Sequence, residues 1–109
     1  MREQIARARK ATRDAPNDPG AHLALARAIV EYHERTDSGR LDDAVAAARK
    51  ASRIWPDAPD ASLWEGIAHA RAGRAKQAHE RLSDFLSRHA SAHASLLLKA
   101  KEYLAQLTK

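Results

Sequence analysis

Two stretches of the chain, GRLDDAVAAARKASRIWP at residues 39–56 and GRAKQAHERLSDFLSRHA at residues 73–90, decide its fold. Both begin with Gly-Arg, and the second begins 34 residues after the first. Small or apolar residues follow at matching positions in the two copies: Ala44, Ala48 and Ala51, then Ala78, Leu82 and Phe85. Because spacings of three and four residues place side chains on one face of a helix, each stretch is predicted to be an amphipathic helix entered through a glycine turn. The fixed offset indicates a repeat architecture.

Prolines and helix-capping residues mark the limits of the repeating units. Pro16 and Pro56 each follow an alanine-spaced helix, and Ala90 takes the equivalent third place. Each is followed by a residue that commonly caps a helix N-terminus: Asn17, Asp57 and Ser91. Pro19 and Pro59 then fall in the first turn of the next helix, where proline is tolerated. These landmarks agree in register with the two glycine turns.

The composition favours a single helical domain. Of the 109 residues, 25 are alanine, the best helix former, whereas glycine and proline number four each. Valine and isoleucine are few, and no segment alternates as a half-buried strand would. The absence of cysteine excludes a disulfide framework, a thiolate metal site and a cysteine nucleophile.

The formal net charge of +5 favours acidic partners. The basic residues are densest in the first helix, where five of them accompany a single glutamate: Arg2, Arg7, Arg9, Lys10 and Arg13. A nucleic-acid interface would join such a patch to aromatic residues or to a reading helix, and aromatic residues make up only 5% of the chain. A solvated helix face is therefore the favoured interpretation, and nucleic-acid binding is a distant alternative. No apolar run approaches a membrane span or a signal-peptide core, so a cytoplasmic chain without membrane contact is expected.

This pattern resembles the tetratricopeptide repeat, a 34-residue helix–turn–helix unit. The residues that carry the resemblance lie in two copies: Leu25, Ala26, Ile29, Gly39, Ala44, Ala48, Ala51 and Pro56, then Gly66, Gly73, Ala78, Leu82 and Phe85. The family's small residue on the first helix, which lets the two helices of a unit touch, is Ala26, Gly66 or Ala100 here. The chain departs from the pattern in two respects. Glu65 stands where the first unit has Leu25, and the first unit carries six extra residues between Ile29 and Gly39.

The resemblance implies an all-α fold, a short right-handed α-solenoid of antiparallel helix pairs with about six helices. The chain is expected to be one domain, residues 1–109, made of four parts: residues 1–16 as the second helix of a partial repeat, 17–56 as a repeat with the six-residue insertion, 57–90 as a repeat, and 91–109 as a C-terminal capping helix. Helices are expected near residues 2–14, 19–35, 41–54, 59–72, 75–88 and 92–107.

The resemblance also implies a function, a non-catalytic protein–protein interaction module or scaffold. In this family the first helices line a concave groove that holds a peptide or a helix, which on this register would be lined by Leu23, Arg27, Val30, Glu31, Leu63, Trp64, Ile67, Arg71, Leu97 and Lys101, with Leu98 beside them. The basic residues among them suit a partner in which acidic residues flank an apolar anchor. Trp64 is the expected hot spot, because aromatic anchors dominate interfaces. The alternative is that Trp64 packs under a neighbouring helix.

Two other interpretations stay open. The last helix is rich in leucines that cover more than one face: Leu96, Leu97, Leu98, Leu104 and Leu107. An exposed apolar face on a short array commonly means self-association, so a homodimer formed through this helix is the main alternative. A designed repeat scaffold without a natural ligand is the other.

No residue pattern points to catalysis, a cofactor or a metal. His89 and His93 have the spacing of two ligands on one helical face, but the predicted turn at residues 90–92 separates them. Asp42 and Asp43 match acidic residues that complement a helix dipole. There is no glycine-rich phosphate loop, and the serines lack a nucleophile motif or a recognisable base. The chain is therefore expected not to be an enzyme.

Overall fold

The computed structural model describes residues 2–58 and 60–107, and the regular structure within these ranges is entirely helical. Six helices follow one another: α1 (Arg2–Asp14), α2 (Pro19–Thr36), α3 (Leu41–Ile54), α4 (Ala61–Arg71), α5 (Ala75–Arg88) and α6 (Ala94–Leu107). Each helix packs on the next one in the chain, and α4 also contacts α2 and α6. The predicted all-α fold class is confirmed.

The helix limits follow the sequence landmarks closely, but the N-cap of α2 is Asp18 rather than Asn17 and that of α4 is Asp60 rather than Asp57. The predictions for α1, α3 and α5 are confirmed, and α2 is one residue longer than expected. The structure has α4 starting at Ala61 rather than residue 59, and Pro59 itself lies outside the described residues. The start of α6 also falls two residues later than expected, at Ala94. Here the ring of His93 acts as a cap, because its Nδ1 accepts a hydrogen bond of 3.2 Å from the backbone N–H of Ser95.

The two glycines of the sequence repeat lie in the turns that precede α3 and α5. Gly39 has a φ angle of 115° and Gly73 a φ angle of 82°, and residues that carry a Cβ atom rarely adopt such angles. The chain must reverse direction at these points so that the second helix of each pair returns along the first. The recurrence of glycine at these two positions therefore has a direct conformational cause.

Helix α4 lies at the centre of the molecule. It contacts α2, α3, α5 and α6, and every residue from Ala61 to His69 is buried. A helix covered on all sides must be apolar or must find a partner for each polar group it buries. Ser62 meets this requirement because its hydroxyl donates a hydrogen bond of 2.8 Å to Oδ2 of Asp84 on α5.

The other two buried polar residues of α4 share one network. Oε2 of Glu65 lies 3.4 Å from Nε of Arg49 on α3 and 3.3 Å from Nε2 of His69. Nε of Arg74 donates a hydrogen bond of 2.9 Å to Nδ1 of His69, which leaves Nε2 as the ring nitrogen that carries the proton. Burial lowers the pKa of His69 below its ordinary value, although the Glu65 carboxylate acts in the opposite direction. The imidazole is therefore neutral, and both of its nitrogens are satisfied.

The close approach of α4 and α5 depends on Gly66. A Cβ atom built at this position would lie 2.8 Å from Cγ of Leu82 and 3.1 Å from the Leu82 backbone nitrogen. Leu82 is fully buried and cannot move aside without shifting its own neighbours. The small residue expected on the first helix of this unit is thus required by the distance between the two helix backbones.

We expect Gly66→Ala to destabilise the protein, even though alanine is the better helix former. The gain in helix propensity is about 1 kcal/mol, whereas overpacking a tight core costs about 1–3 kcal/mol, so the free energy of unfolding should fall. Urea denaturation followed by circular dichroism measures the change. The matched control is Gly20→Ala, because Gly20 is exposed in the first turn of α2 and its Cβ would meet only the Asp18 side chain. Equal or greater stability of Gly66→Ala would contradict this account of the α4–α5 contact.

Candidate functional site

The structure corrects the predicted groove at its centre. All ten predicted residues lie on α2, α4 and α6, but the side chains of four are in the core: Val30, Leu63, Trp64 and Ile67. They are covered because α2 and α6 both pack against α4, the helix that carries three of them. Val30, Leu63 and Ile67 therefore do not line an open groove in this structure, and Trp64 exposes only a small part of its surface.

Trp64 is covered rather than displayed. Its side chain is only 2% exposed, and the guanidinium carbon of Arg27 lies 5.8 Å from the centroid of its ring. This distance is within the range of a cation–π contact, which holds the arginine over the aromatic face. The alternative given by the sequence, that Trp64 packs under a neighbouring helix, describes its position.

Glu34 fixes α6 over the centre of the molecule. Its Oε1 accepts a hydrogen bond of 2.9 Å from Nζ of Lys99, and its Oε2 accepts one of 2.6 Å from the hydroxyl of Tyr103. Burial and the bond to Glu34 together raise the pKa of Tyr103 to about 12. Glu34 lies in the extra turn that the six-residue insertion adds to α2, so the insertion lets α2 reach α6 across α4. Sequence reasoning located the insertion but missed this role.

Two adjoining depressions lie on the surface beside α2. The first, the α1–α2 trough, has a volume of about 490 Å³ and is lined by Gln4, Arg7, Ala8, Ala24, Arg27, Ala28 and Glu31. The second, the α2–α6 cleft, has a volume of about 330 Å³ and is lined by Arg27, Glu31, Trp64, Ser95, Leu96, Leu98, Lys99 and Glu102. Because Arg27 and Glu31 border both, the trough and the cleft form one continuous surface.

Of the predicted groove residues, Arg27 and Glu31 lie at the junction of the two depressions, and Trp64 contributes only a small exposed area to the cleft. Leu98 lines the cleft and is 57% exposed. Arg71 lines a separate depression of about 350 Å³ between α4 and α6, and the other predicted residues border none of these three depressions: Leu23, Leu97 and Lys101. Sequence reasoning also missed the alanines of the trough, because small residues on α1 and α2 are as typical of a close contact between two helices as of an open trough.

The electrostatics of the trough favour an acidic partner. Nε of Arg27 lies 3.3 Å from Oε1 of Glu31, an exposed pair one helical turn apart that contributes little energy. The side chain of Arg7 forms no hydrogen bond or ion pair with the residues that the structure describes. The walls therefore carry two guanidinium groups against one carboxylate, above a floor of alanine side chains.

The structure separates the two histidines that have metal-ligand spacing. His89 follows the end of α5 and His93 precedes α6, so they do not share a helical face. The ring of His89 packs against Phe85, with 5.8 Å between centroids, and Nδ1 of His93 lies 2.8 Å from the hydroxyl of Ser95. Among residues 2–58 and 60–107 no group of three or more side chains is arranged to hold a metal ion.

A comparison with protein families bears on the helical arrangement described above. A family model described as the tetratricopeptide repeat matches residues 35–102, from the end of α2 into α6. The chain belongs to the tetratricopeptide repeat family. No curated protein and no solved structure matches it. Tetratricopeptide repeats are generally protein–protein interaction modules and typically non-catalytic. None of the helices in the described part of the chain is long and apolar enough to cross a membrane.

We expect Glu34→Ala to loosen α6 and to expose Trp64. The variant loses the hydrogen bond from Tyr103, worth roughly 1.5–3 kcal/mol, and the partly exposed ion pair with Lys99, worth at most about 1 kcal/mol, so the free energy of unfolding should fall by about 2–4 kcal/mol. In a Trp55→Phe background Trp64 is the only tryptophan, and its quenching by acrylamide should rise. The control is Glu3→Ala, which removes an exposed carboxylate from α1. Unchanged quenching in a folded Glu34→Ala protein would show that α6 is held by apolar packing alone.

Proposed function

We propose that this repeat protein is a non-catalytic interaction module that holds a peptide or a helix along the α1–α2 trough and the adjoining α2–α6 cleft. The observation that carries the proposal is the open trough, with an alanine floor and two arginines on its walls. The family membership supports binding of a protein partner in general. The trough supports a specific place and a specific chemistry for that partner.

The shape of the trough favours apolar side chains from the partner. Ala8, Ala24 and Ala28 contribute only methyl groups, so the space between α1 and α2 can accept larger side chains such as leucine or phenylalanine. Burial of one such side chain contributes about 1.5–3 kcal/mol. Anchors of this kind, inserted into a concave and largely preformed surface, commonly dominate the energy of an interface.

The charges favour carboxylates beside those anchors. Arg7 lacks an ionic partner within the described residues, and Arg27 is oriented by the ring of Trp64 and by Glu31. A guanidinium group can bind a carboxylate through two parallel hydrogen bonds, which adds geometric selectivity to charge attraction. The proposed partner segment is therefore apolar and flanked by aspartate or glutamate.

Selection of binders to the purified protein from a displayed library of random peptides tests this proposal. We expect the selected peptides to combine apolar residues with aspartate or glutamate, and we expect Arg7→Glu to weaken their binding by about tenfold, since hydrogen bonds to charged groups contribute roughly 1.5–3 kcal/mol. Ala24→Leu should weaken binding as well, because the added side chain partly fills the trough while Ala24 itself is exposed. Fluorescence anisotropy of labelled peptides measures both effects.

The control for charge is Arg13→Glu, which reverses an exposed basic residue of α1 that does not line the trough. Its affinity for the selected peptides should match that of the unmodified protein. If Arg7→Glu and Ala24→Leu both bind these peptides as tightly as the unmodified protein, the trough is not the binding site.

A second candidate function, self-association through α6, is favoured by one observation. Leu98 is 57% exposed, whereas Leu96, Leu97, Leu104 and Leu107 are partly buried against the core. Any dimer contact through this helix would therefore centre on Leu98 rather than on Leu97.

This candidate predicts that the mass of the protein rises with concentration and that Leu98→Glu restores a monomer. Light scattering during size exclusion at two concentrations measures both. Lys101→Glu, at an exposed polar position of the same helix, is the control and should leave the mass unchanged. A constant monomer mass would exclude self-association and leave the peptide-binding proposal standing.

A further inference from the structure

A separate cavity lies between α3 and α5 and shares no residue with the trough or the cleft. This α3–α5 cavity has a volume of about 440 Å³. One wall is formed by α3, through Arg49, Ser52 and Arg53, and the other by α5, through Gln77, Glu80 and Arg81. In each set the second and third residues follow the first by three and four positions, so the side chains share one helical face. Glu65 of α4 completes the lining. The lining is polar and contains three guanidinium groups.

The buried end of the cavity is lined by an ion pair, although an apolar residue would satisfy the packing at this position. Glu65 is 8% exposed and corresponds to Leu25 of the preceding unit, which is buried in the core. Burying a carboxylate costs desolvation free energy, and the ion pair with Arg49 offsets this cost. The pair does not make the fold more stable than an apolar side chain at this position would. The hydrogen bond from His69 completes the compensation.

Two arginines in the walls of the cavity have no such compensation. The side chains of Arg53 on α3, which is exposed, and of Arg81 on α5, which is partly buried, form no hydrogen bond or ion pair with any residue that the structure describes. Glu80 is the other acidic side chain of the lining, and it is exposed. The lining therefore carries three guanidinium groups against the two carboxylates of Glu65 and Glu80, and the cavity is net positive.

We propose that the α3–α5 cavity binds an oxyanion of the phosphate class through Arg53 and Arg81, with Arg49 as the third cation. Guanidinium groups match phosphate oxygens in forked pairs, and a phosphate offers enough oxygens to engage arginines from two facing helices at once. Its charge of about −1.5 to −2 at neutral pH is opposite in sign to the net positive charge of the lining. The proposal does not depend on the trough, because the two surfaces have no lining residue in common.

The cavity has room for the group that carries the phosphate. A volume of about 440 Å³ falls within the range of small-molecule pockets and exceeds what a bare ion occupies. The same chemistry is offered by a free phosphate ester and by a phosphorylated side chain of a peptide. The amide of Gln77 and the hydroxyl of Ser52 supply further hydrogen-bonding groups for either source.

Isothermal titration calorimetry at constant ionic strength tests the proposal with three probes: inorganic phosphate, O-phosphoserine, and a short phosphoserine peptide compared with its unphosphorylated form. We expect saturable binding of one phosphate group per chain. The double variant Arg53→Gln/Arg81→Gln should weaken it by about tenfold or more, because it removes two charge-assisted contacts to the phosphate. The fold should be unaffected, since neither side chain has a partner within the described residues.

The matched control is Lys10→Gln/Arg13→Gln, which removes the same charge from exposed positions of α1. It should retain the affinity of the unmodified protein. Equal weakening in the two double variants would mean that the effect is general charge attraction, and it would overturn the proposed site. The proposal would also be overturned if none of the probes bound saturably. Binding of the phosphopeptide alone would identify a phosphorylated protein as the source, whereas equal binding of O-phosphoserine would identify a small phosphate ester.

Discussion

The burial of α4 on every side is the constraint on which the rest of this structure depends. A helix enclosed by four others can keep no unpaired polar group and no excess volume along its length. Gly66 meets the second requirement where α5 approaches, and the bonds made by Ser62, Glu65 and His69 meet the first. The partners that these residues need lie on α3, on α5 and in the turn between α4 and α5. The central helix therefore determines which side chains its neighbours present inward.

The same burial explains why the groove predicted from the repeat is closed at its centre. The first helices of successive units lie side by side, and α2 is long enough for Glu34 to reach α6 beyond α4. Drawing α2 and α6 together covers the face of α4 that carries Trp64. The α1–α2 trough remains open on the other side of α2, where the alanines of α1 and α2 leave space.

The sequence was sufficient for the fold because the signals that define helices are local. Gly39 and Gly73 sit in turns that require positive φ angles, and the helix that follows each begins two residues later. The candidate site was harder to predict, because burial depends on contacts between distant residues. Glu34 meets partners 65 and 69 residues further along the chain, and no periodicity reports such a pairing. Val30 and Ile67 fit a groove and a core equally well, since both environments select apolar side chains at helical spacing.

Two adjacent residues of α4 face the two surfaces described above. Trp64 borders the α2–α6 cleft and Glu65 borders the α3–α5 cavity, because successive residues of a helix point in directions about 100° apart. The chemistry of the two sides differs accordingly: an aromatic ring beneath Arg27 on one, and a carboxylate held by Arg49 on the other. Since α4 has no freedom to repack, a ligand on either side meets a rigid wall. The buried helix that makes the fold possible therefore also allows one small domain to present two surfaces of different chemistry.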